Sequence, residues 1–215
     1  MSFFRLIDKG EGPVRLFVGG VHGREGLTTI HALKKIQSSD VKKGKLIIYN
    51  CDATKYISTL DKGYYHTPLG KYIVELIHHY KPEVYVEPHC YRPDSYNRLT
   101  DLQRQKRIGV PPLIELEKRV LIGSVSPHIR TSLFKREDVC LTLEMPCIHK
   151  ENNYMDLEPA PHPDLSLELY TKLLKTLAAS STRKNLEKKM SKKYPLQVEK
   201  AREYARAFFG EYPPF

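Results

Sequence analysis

The 215-residue chain has no apolar run approaching the roughly 18 residues of a membrane span, which excludes a helical transmembrane protein. Its first residues, Met1-Ser2-Phe3-Phe4-Arg5, lack the basic region and apolar stretch of a secretory signal. Four cysteines are too few for a disulfide scaffold in a chain of this length. These absences lead us to expect a soluble, cytoplasmic protein. No internal repeat and no low-complexity linker divides the sequence. What is present, 40% hydrophobic and 28% charged residues, suits a single globular domain with a substantial core and argues against wholesale disorder.

Lys and Arg number 35 against 25 Asp and Glu, a net charge of +10. From residue 181 onward there are nine basic and four acidic residues, so half of the excess lies in the tail. That tail reads as helix, with Leu186, Met190, Val198, Ala201, Tyr204, Ala205 and Phe208 near helical spacing and a break at Tyr194-Pro195. We therefore expect a domain over residues 1–180 and a basic helical extension over 181–215 packed on it. A basic helix can bind nucleic acid or an acidic partner. No aromatic interleaving or known nucleic-acid motif accompanies this charge, so a solvated helix face is favoured over a nucleic-acid partner.

Strand-like and helix-like stretches alternate along residues 1–180. Residues 3–7, 14–19, 45–49, 83–87, 120–125 and 139–145 read as strands, and 25–37, 69–80 and 165–178 as helices. This alternation predicts an α/β fold of three layers, helix/sheet/helix, with a mixed, mostly parallel sheet. A polar stretch without periodicity, residues 89–112, reads as a long loop beside the functional site.

Residues able to do chemistry follow four of the predicted strands. His22 and Glu25 lie in Gly19-Gly20-Val21-His22-Gly23-Arg24-Glu25-Gly26, Asn50 and Asp52 follow the third strand, His89 follows the fourth, and Glu144 sits near the end of the sixth. Ligands of open α/β sheets bind beyond the carboxyl ends of the strands. Two histidines and a carboxylate can hold zinc and leave a fourth position open. Flanking glycines allow the sharp turn that lets His22 and Glu25 face one ion, and His89 is the candidate third ligand. Glu144 lies within Val139-Cys140-Leu141-Thr142-Leu143-Glu144-Met145, where a carboxylate is costly unless paired or functional, so it stands as the free general base. His31, His66, His78, His79, His128, His149 and His162 lack such a context and read as surface or structural. Cys51, Cys90, Cys140 and Cys147 read as small buried hydrophobes beside strands.

GGVHGREG resembles the first zinc motif of the metallocarboxypeptidase superfamily, a Gly-rich strand end leading into His-x-x-Glu. Val84 to Tyr91 resembles the segment carrying that superfamily's third ligand, and Leu141 to Met145 the strand carrying its catalytic Glu. The chain is also similar to the succinylglutamate desuccinylase and aspartoacylase branch, and as a whole looks like a small archaeal family attached to the superfamily. The resemblance covers roughly residues 14–150. It implies a carboxypeptidase-like fold, one Zn2+ per chain on His22, Glu25 and His89, and Glu144 as catalytic base. The implied activity is hydrolysis of an amide bond in a small peptide or an N-acyl amino acid.

Both branches use an Asp-x-Asn-Arg element to grip substrate, and the nearest counterpart here is Thr59-Leu60-Asp61-Lys62. Lys62 stands where the Arg would be, and Arg24, Arg92 and Arg98 are further candidates for binding an anionic group. Asn50 belongs to the shell behind the ligands, and either Asp52 or Asp61 orients His22. Two rivals remain open: a metal-binding or pseudoenzyme module serving protein interaction, and a nucleic-acid-associated protein acting through the tail.

Overall fold

Residues 2–148 and 163–210 are described in the computed structural model of the chain. Paired elements begin with β1 (Ser2–Lys9), β2 (Val14–Gly19), α1 (Gly26–Leu33) and β3 (Gly44–Cys51). Next come α2 (Pro68–Tyr80), β4 (Val84–Tyr91), and two five-residue helices, α3 (Tyr96–Thr100) and α4 (Arg104–Ile108). A hairpin of β5 (Ile114–Glu117) and β6 (Val120–Ser124), the short α5 (Pro127–Arg130) and β7 (Val139–Pro146) complete the sheet. Three helices follow: α6 (Pro163–Ala178), α7 (Arg183–Lys193) and α8 (Pro195–Phe209).

The seven strands form one sheet in the order β1-β3-β2-β4-β7-β6-β5. Its centre, β3-β2-β4-β7, is parallel, and the flanking β1, β6 and β5 are antiparallel to their neighbours. The fold is thus mixed α/β with helices on both faces and a helical C-terminal tail. The chain leaves β2 through α1 to reach β3 on one side, then returns through α2 to β4 on the other. This reversal opens a crevice at the carboxyl ends of β2 and β4, the position where such sheets bind ligands.

Strand pleating explains the two cores. Phe17, Ile48, Val86 and Leu141 face one side, where they pack with α1, α6, α7 and α8. Their chain neighbours Leu16, Ile47, Tyr85 and Cys140 face the other, against α2 and α5. With a layer on each side, β4 is buried at all its positions, which is why it reads as a continuous run. Helix α2 starts cleanly because Thr67 accepts the Gly70 N–H and Pro68 sits in the first turn. It stops at Lys81, left-handed at φ 48°, just before Pro82.

Two sequence expectations shift. Helix α1 ends at Leu33 rather than 37, because Gln37 caps a separate 3-10 turn over Ser38–Asp40. The 89–112 stretch is not a long loop: β4 runs through His89 to Tyr91, and α3 and α4 follow. Five-residue helices complete too few turns to show an apolar period, and the four-residue β5 gives equally little alternation. The tail breaks at Tyr194-Pro195 as its sequence suggests, and Leu186, Met190, Tyr194, Val198 and Ala201 join the main core. Lys184, Lys188, Lys189 and Lys192 lie on its exposed side. Residues 211–215, His149 and His162 lie outside the described residues. No described helix is long and apolar enough to cross a membrane.

One buried charge ties the tail to the sheet. Arg15, at the start of β2, is fully buried. Its Nε and Nη2 donate to the Ser180 carbonyl at 2.9 and 2.7 Å, and its Nη1 donates to the Pro13 and Lys43 carbonyls at 3.1 and 3.0 Å. An apolar residue here leaves the Ser180 and Lys43 carbonyls without this donor, each costing roughly 1–3 kcal/mol if water cannot reach it, while Pro13 keeps the Lys45 N–H. Arg15→Met is expected to lower stability by about 3 kcal/mol or more, read as a lower urea midpoint at unchanged slope. Arg15→Lys should restore only part of it, because one ammonium cannot span these acceptors.

Candidate metal centre

The loop after β2 is pressed against the end of β3. Gly20 has φ +69°, and a Cβ on it would lie 1.8 Å from the Cys51 carbonyl oxygen; a Cβ on Gly26 would meet the same atom at 1.8 Å. Only glycine fits at either point. Asn50, buried on β3, accepts from Thr29 Oγ1 at 2.6 Å and donates to the Gly26 carbonyl at 3.2 Å. The Tyr64 hydroxyl donates to the Val21 carbonyl at 2.7 Å. Held from both sides, the loop points His22 and Glu25 inward over the carboxyl edge of the sheet.

There they meet His89 of β4. His22 Nδ1 lies 3.1 Å from Glu25 Oε1, and His89 Nδ1 lies 3.1 Å from Glu25 Oε2. Ligand atoms of the three residues all fall within 4.8 Å of one another. Bonds of about 2.0–2.2 Å in a tetrahedral zinc site set ligand atoms about 3.4 Å apart, so the cluster is of the right size. His22 Nδ1 is buried and makes no aligned hydrogen bond despite its short distance to Glu25. That is the geometry of donors converging on a point between them. Two imidazoles and a carboxylate suit zinc and other first-row divalent ions.

Electrostatics bind the cluster. Burial favours neutral His89, yet contact with Glu25 and Glu87 holds its pKa well above the ordinary histidine value. Burial alone would raise Glu25, but His89 and His22 hold it below the usual carboxylate range. Glu87 had not been singled out in the sequence. Its Oε2 lies 3.4 Å from His89 Nε2, and its Oε1 accepts the Tyr85 hydroxyl at 2.8 Å. When Nε2–H donates to Glu87, Nδ1 is the nitrogen that faces Glu25, and on losing its own proton it is free to bind a metal. The available signal was its spacing: Glu87 and His89 are two apart on a strand and share a face.

Glu144 lies directly across from His89 in the parallel β4–β7 pairing. Its Oε2 is buried and has no hydrogen-bond partner among the described residues. Burial pushes its pKa up to about 7, with Glu25 adding to the rise and His89, His22 and Arg104 opposing it. His22, Glu87, His89 and Glu144 line one cavity of 170 Å³.

The cationic candidates fall elsewhere. Arg24 and Lys62 are exposed, Arg92 pairs with Asp94 at 2.7 Å, and Arg98 donates to Ser95 Oγ at 3.0 Å. None of the four lines the cavity, although the charge of Arg98 reaches the Tyr56 hydroxyl at its mouth. Arg104, on α4, does line it. Its Nη1 donates to the Pro111 carbonyl at 2.5 Å, while its buried Nε has no partner. Nothing in the sequence marked Arg104 apart from the other basic residues of that stretch. Of the shell candidates, Asn50 acts on the loop backbone and Asp61 caps the 3-10 turn at Gly63 (2.8 Å). Asp52 sits half-buried where the end of β3 packs on Gly26.

The cysteines divide. Cys90 and Cys147 are joined as a disulfide beside the site, correcting the reading of all four as simple buried hydrophobes, while Cys51 and Cys140 are free. Cys90 points to the opposite pleat face from His89, so the pairing that joins β4 to the segment after β7 leaves the cluster undisturbed. His128 bonds the Leu60 carbonyl at 3.0 Å, consistent with a structural role.

Fold and site together define an α/β protein with a candidate two-histidine, one-carboxylate metal centre at the switch point of its sheet. The chain belongs to the family described as "Uncharacterized protein conserved in archaea (DUF2119)", whose model matches residues 10–210. A relative in Methanocaldococcus jannaschii, "Uncharacterized protein MJ0501", is 35% identical over 212 residues, 93% of each chain. Among solved structures, a metallo-carboxypeptidase from Pseudomonas aeruginosa, in complex with (2-guanidinoethylmercapto)succinic acid, aligns with TM-score 0.43 at 12% identity. The alignment covers 81% of this chain and 59% of that one. A Shewanella denitrificans OS217 protein provisionally described as a metallopeptidase aligns with TM-score 0.43 at 12% identity, over 90% of this chain and 79% of that one.

Gly26→Ala tests the loop geometry. Its methyl group must displace the Cys51 carbonyl, an overpacking cost of roughly 1–3 kcal/mol. A fall in melting temperature is expected, together with a shift in the His22 and His89 ring resonances.

Proposed function

We propose that the protein is a zinc-dependent hydrolase of an amide bond in a small peptide or an N-acyl amino acid. The observation that carries this reading is Glu144: a buried carboxylate oxygen without a partner, on the strand beside His89, facing the cavity that His22 and His89 also line. A module that only binds metal has no need of such a group, whose burial is costly. The likeness of GGVHGREG to a zinc-hydrolase motif points the same way.

His22, Glu25 and His89 would hold the ion, which when bound supplies Lewis acidity toward a carbonyl. Glu144 takes the proton of the attacking water and passes it to the departing amine. Glu87 keeps His89 in its ligating tautomer. Arg104, which lines the cavity and whose Nε has no partner among the described residues, receives an anionic group of the substrate, a role for which its exposed counterparts outside the lining are less well placed.

Zinc loading followed by elemental analysis is expected to give about one zinc per chain, lost in both His22→Ala and His89→Ala. Screening peptides and N-acyl amino acids should then find turnover that Glu144→Gln lowers by about 10²–10⁴-fold while keeping the metal. No uptake of zinc by the native chain would overturn the proposal. Glu87→Gln should still bind zinc but about 10–100-fold more weakly, as measured by competition with a chelator. An unchanged affinity would remove Glu87 from the site.

A further inference from the structure

The cavity does not end at the metal cluster. It continues past the carboxyl end of β6 and is lined there by Val110, Ile114 and Ile122, and by Ala201, Tyr204 and Ala205 of α8. Helix α8 packs on β5, the last strand of the sheet. The tail packs on the sheet face opposite the one that carries His89 and Glu144, so it lines the part of the cavity remote from the cluster. Its contribution is chemically uneven. Ala201 and Ala205 are buried and four apart, so they present one small, apolar strip on one helix face. Between them in sequence, Tyr204 brings a hydroxyl that is buried and has no hydrogen-bond partner among the described residues. A Phe would fill the same space without stranding a polar atom, and a Leu at 201 or 205 would fill the strip. The described walls of this arm are aliphatic, and its orphaned polar atoms are the Tyr204 hydroxyl and Arg104 Nε.

We infer that α8 is the specificity element of the site: its Ala201–Ala205 strip accepts an unbranched aliphatic group of the amide substrate, and the Tyr204 hydroxyl donates to a polar atom of that substrate. Tyr204 would act by binding, with no part in bond cleavage. The inference rests on reading the cavity as the substrate site of the proposed hydrolase. An aliphatic group can belong to either half of the substrate, the acyl part or the amino-acid side chain. Two compound series separate these sources: N-acylglycines with the acyl chain lengthened from acetyl to hexanoyl, and N-acetyl amino acids running through glycine, alanine, norvaline and norleucine.

Binding is measured by calorimetry on the full-length chain in a Glu144→Gln background, which keeps the amides intact, both zinc-loaded and zinc-free. One of the two series is expected to gain about fourfold in affinity per added methylene, the equivalent of ~0.8 kcal/mol for one buried CH₂, until the arm is full. Ala205→Leu should abolish the gain for the longer members and leave the shortest unaffected. Tyr204→Phe should weaken all members of that series about equally, by roughly 5- to 10-fold, with zinc content unchanged and the melting temperature unlowered or raised. Tyr204→Phe is nearly isosteric and decides the matter even if Ala205→Leu does not fold.

Affinity independent of chain length in both series, or a Tyr204→Phe profile identical to the parent, would overturn the inference. The two readings fail separately. Length-dependent binding sensitive to α8, in a chain that takes up no zinc, would sink the hydrolase and keep the pocket. Zinc uptake with turnover, but with no response to α8 substitutions, would do the reverse.

Discussion

Three ionisable side chains in one buried spot are the constraint around which this structure is arranged. Glu25 sits between His22 and His89, each contact 3.1 Å, at the edge of the cavity that both histidines line. No one of the three would be stable there as a lone charge. Together they form a cluster in which each charge answers another, and with a divalent ion between them each would become a ligand. The cluster forms only if the end of β2, the start of α1 and the far half of β4 meet within a few ångströms. Several features that look independent serve that meeting: glycine at 20 and 26, the Asn50 bridge from β3, and the extension of β4 past Pro88 so that His89 is held as a strand residue.

The parallel centre of the sheet supplies the rest of the alignment. Because β4 and β7 run in register, Glu144 lies across from His89, and Thr142 lies across from Glu87. Side chains two apart share a face, so Glu87, His89, Thr142 and Glu144 form a small polar field within an otherwise apolar sheet. Such a field is tolerable only where its members are paired or face a cavity, and both conditions are seen. Glu87 has Tyr85 and His89, while Glu144 has the cavity. The difference between these two carboxylates, one committed to hydrogen bonds and one left open, is the observation on which the proposed positioning and reactive roles rest.

Much of this was legible in the sequence, and the limits of legibility have physical reasons. Strand periodicity placed the parallel core, and unusual polar residues at strand ends marked His22, Glu25, His89 and Glu144. Glu87 already ends the strand read over residues 83–87, and extending it two residues to His89 would put both on one face, but Pro88 invites an earlier stop because it lacks an N–H. Arg104 was beyond reach. It lies on a five-residue helix without periodicity, among several basic residues, and only the packing of Pro111 against it shows which one turns inward. The tail was half legible: its apolar stripe announced a packed helix, but a stripe does not say against what it packs, and its charge drew attention to the outer face when the informative side is the inner one.

This last point bears on how the two parts of the chain depend on each other. A tail that merely covered apolar sheet would do so best with large aliphatic residues along its whole inner face. Helix α8 instead places alanine at 201 and 205 and a stranded hydroxyl at 204, giving up burial next to the cavity. Earlier in the tail, at Leu186 and Met190 of α7 and Val198 of α8, the packing into the main core is conventional. Arg15 adds a polar clamp at the Ser180 carbonyl, where the tail begins, so the register of the whole extension is fixed from the sheet side. A helix held this firmly at one end and left open beside the cavity has the form of a fitted wall, and the space it leaves is as much a product of the fold as the cluster that the cavity opens onto.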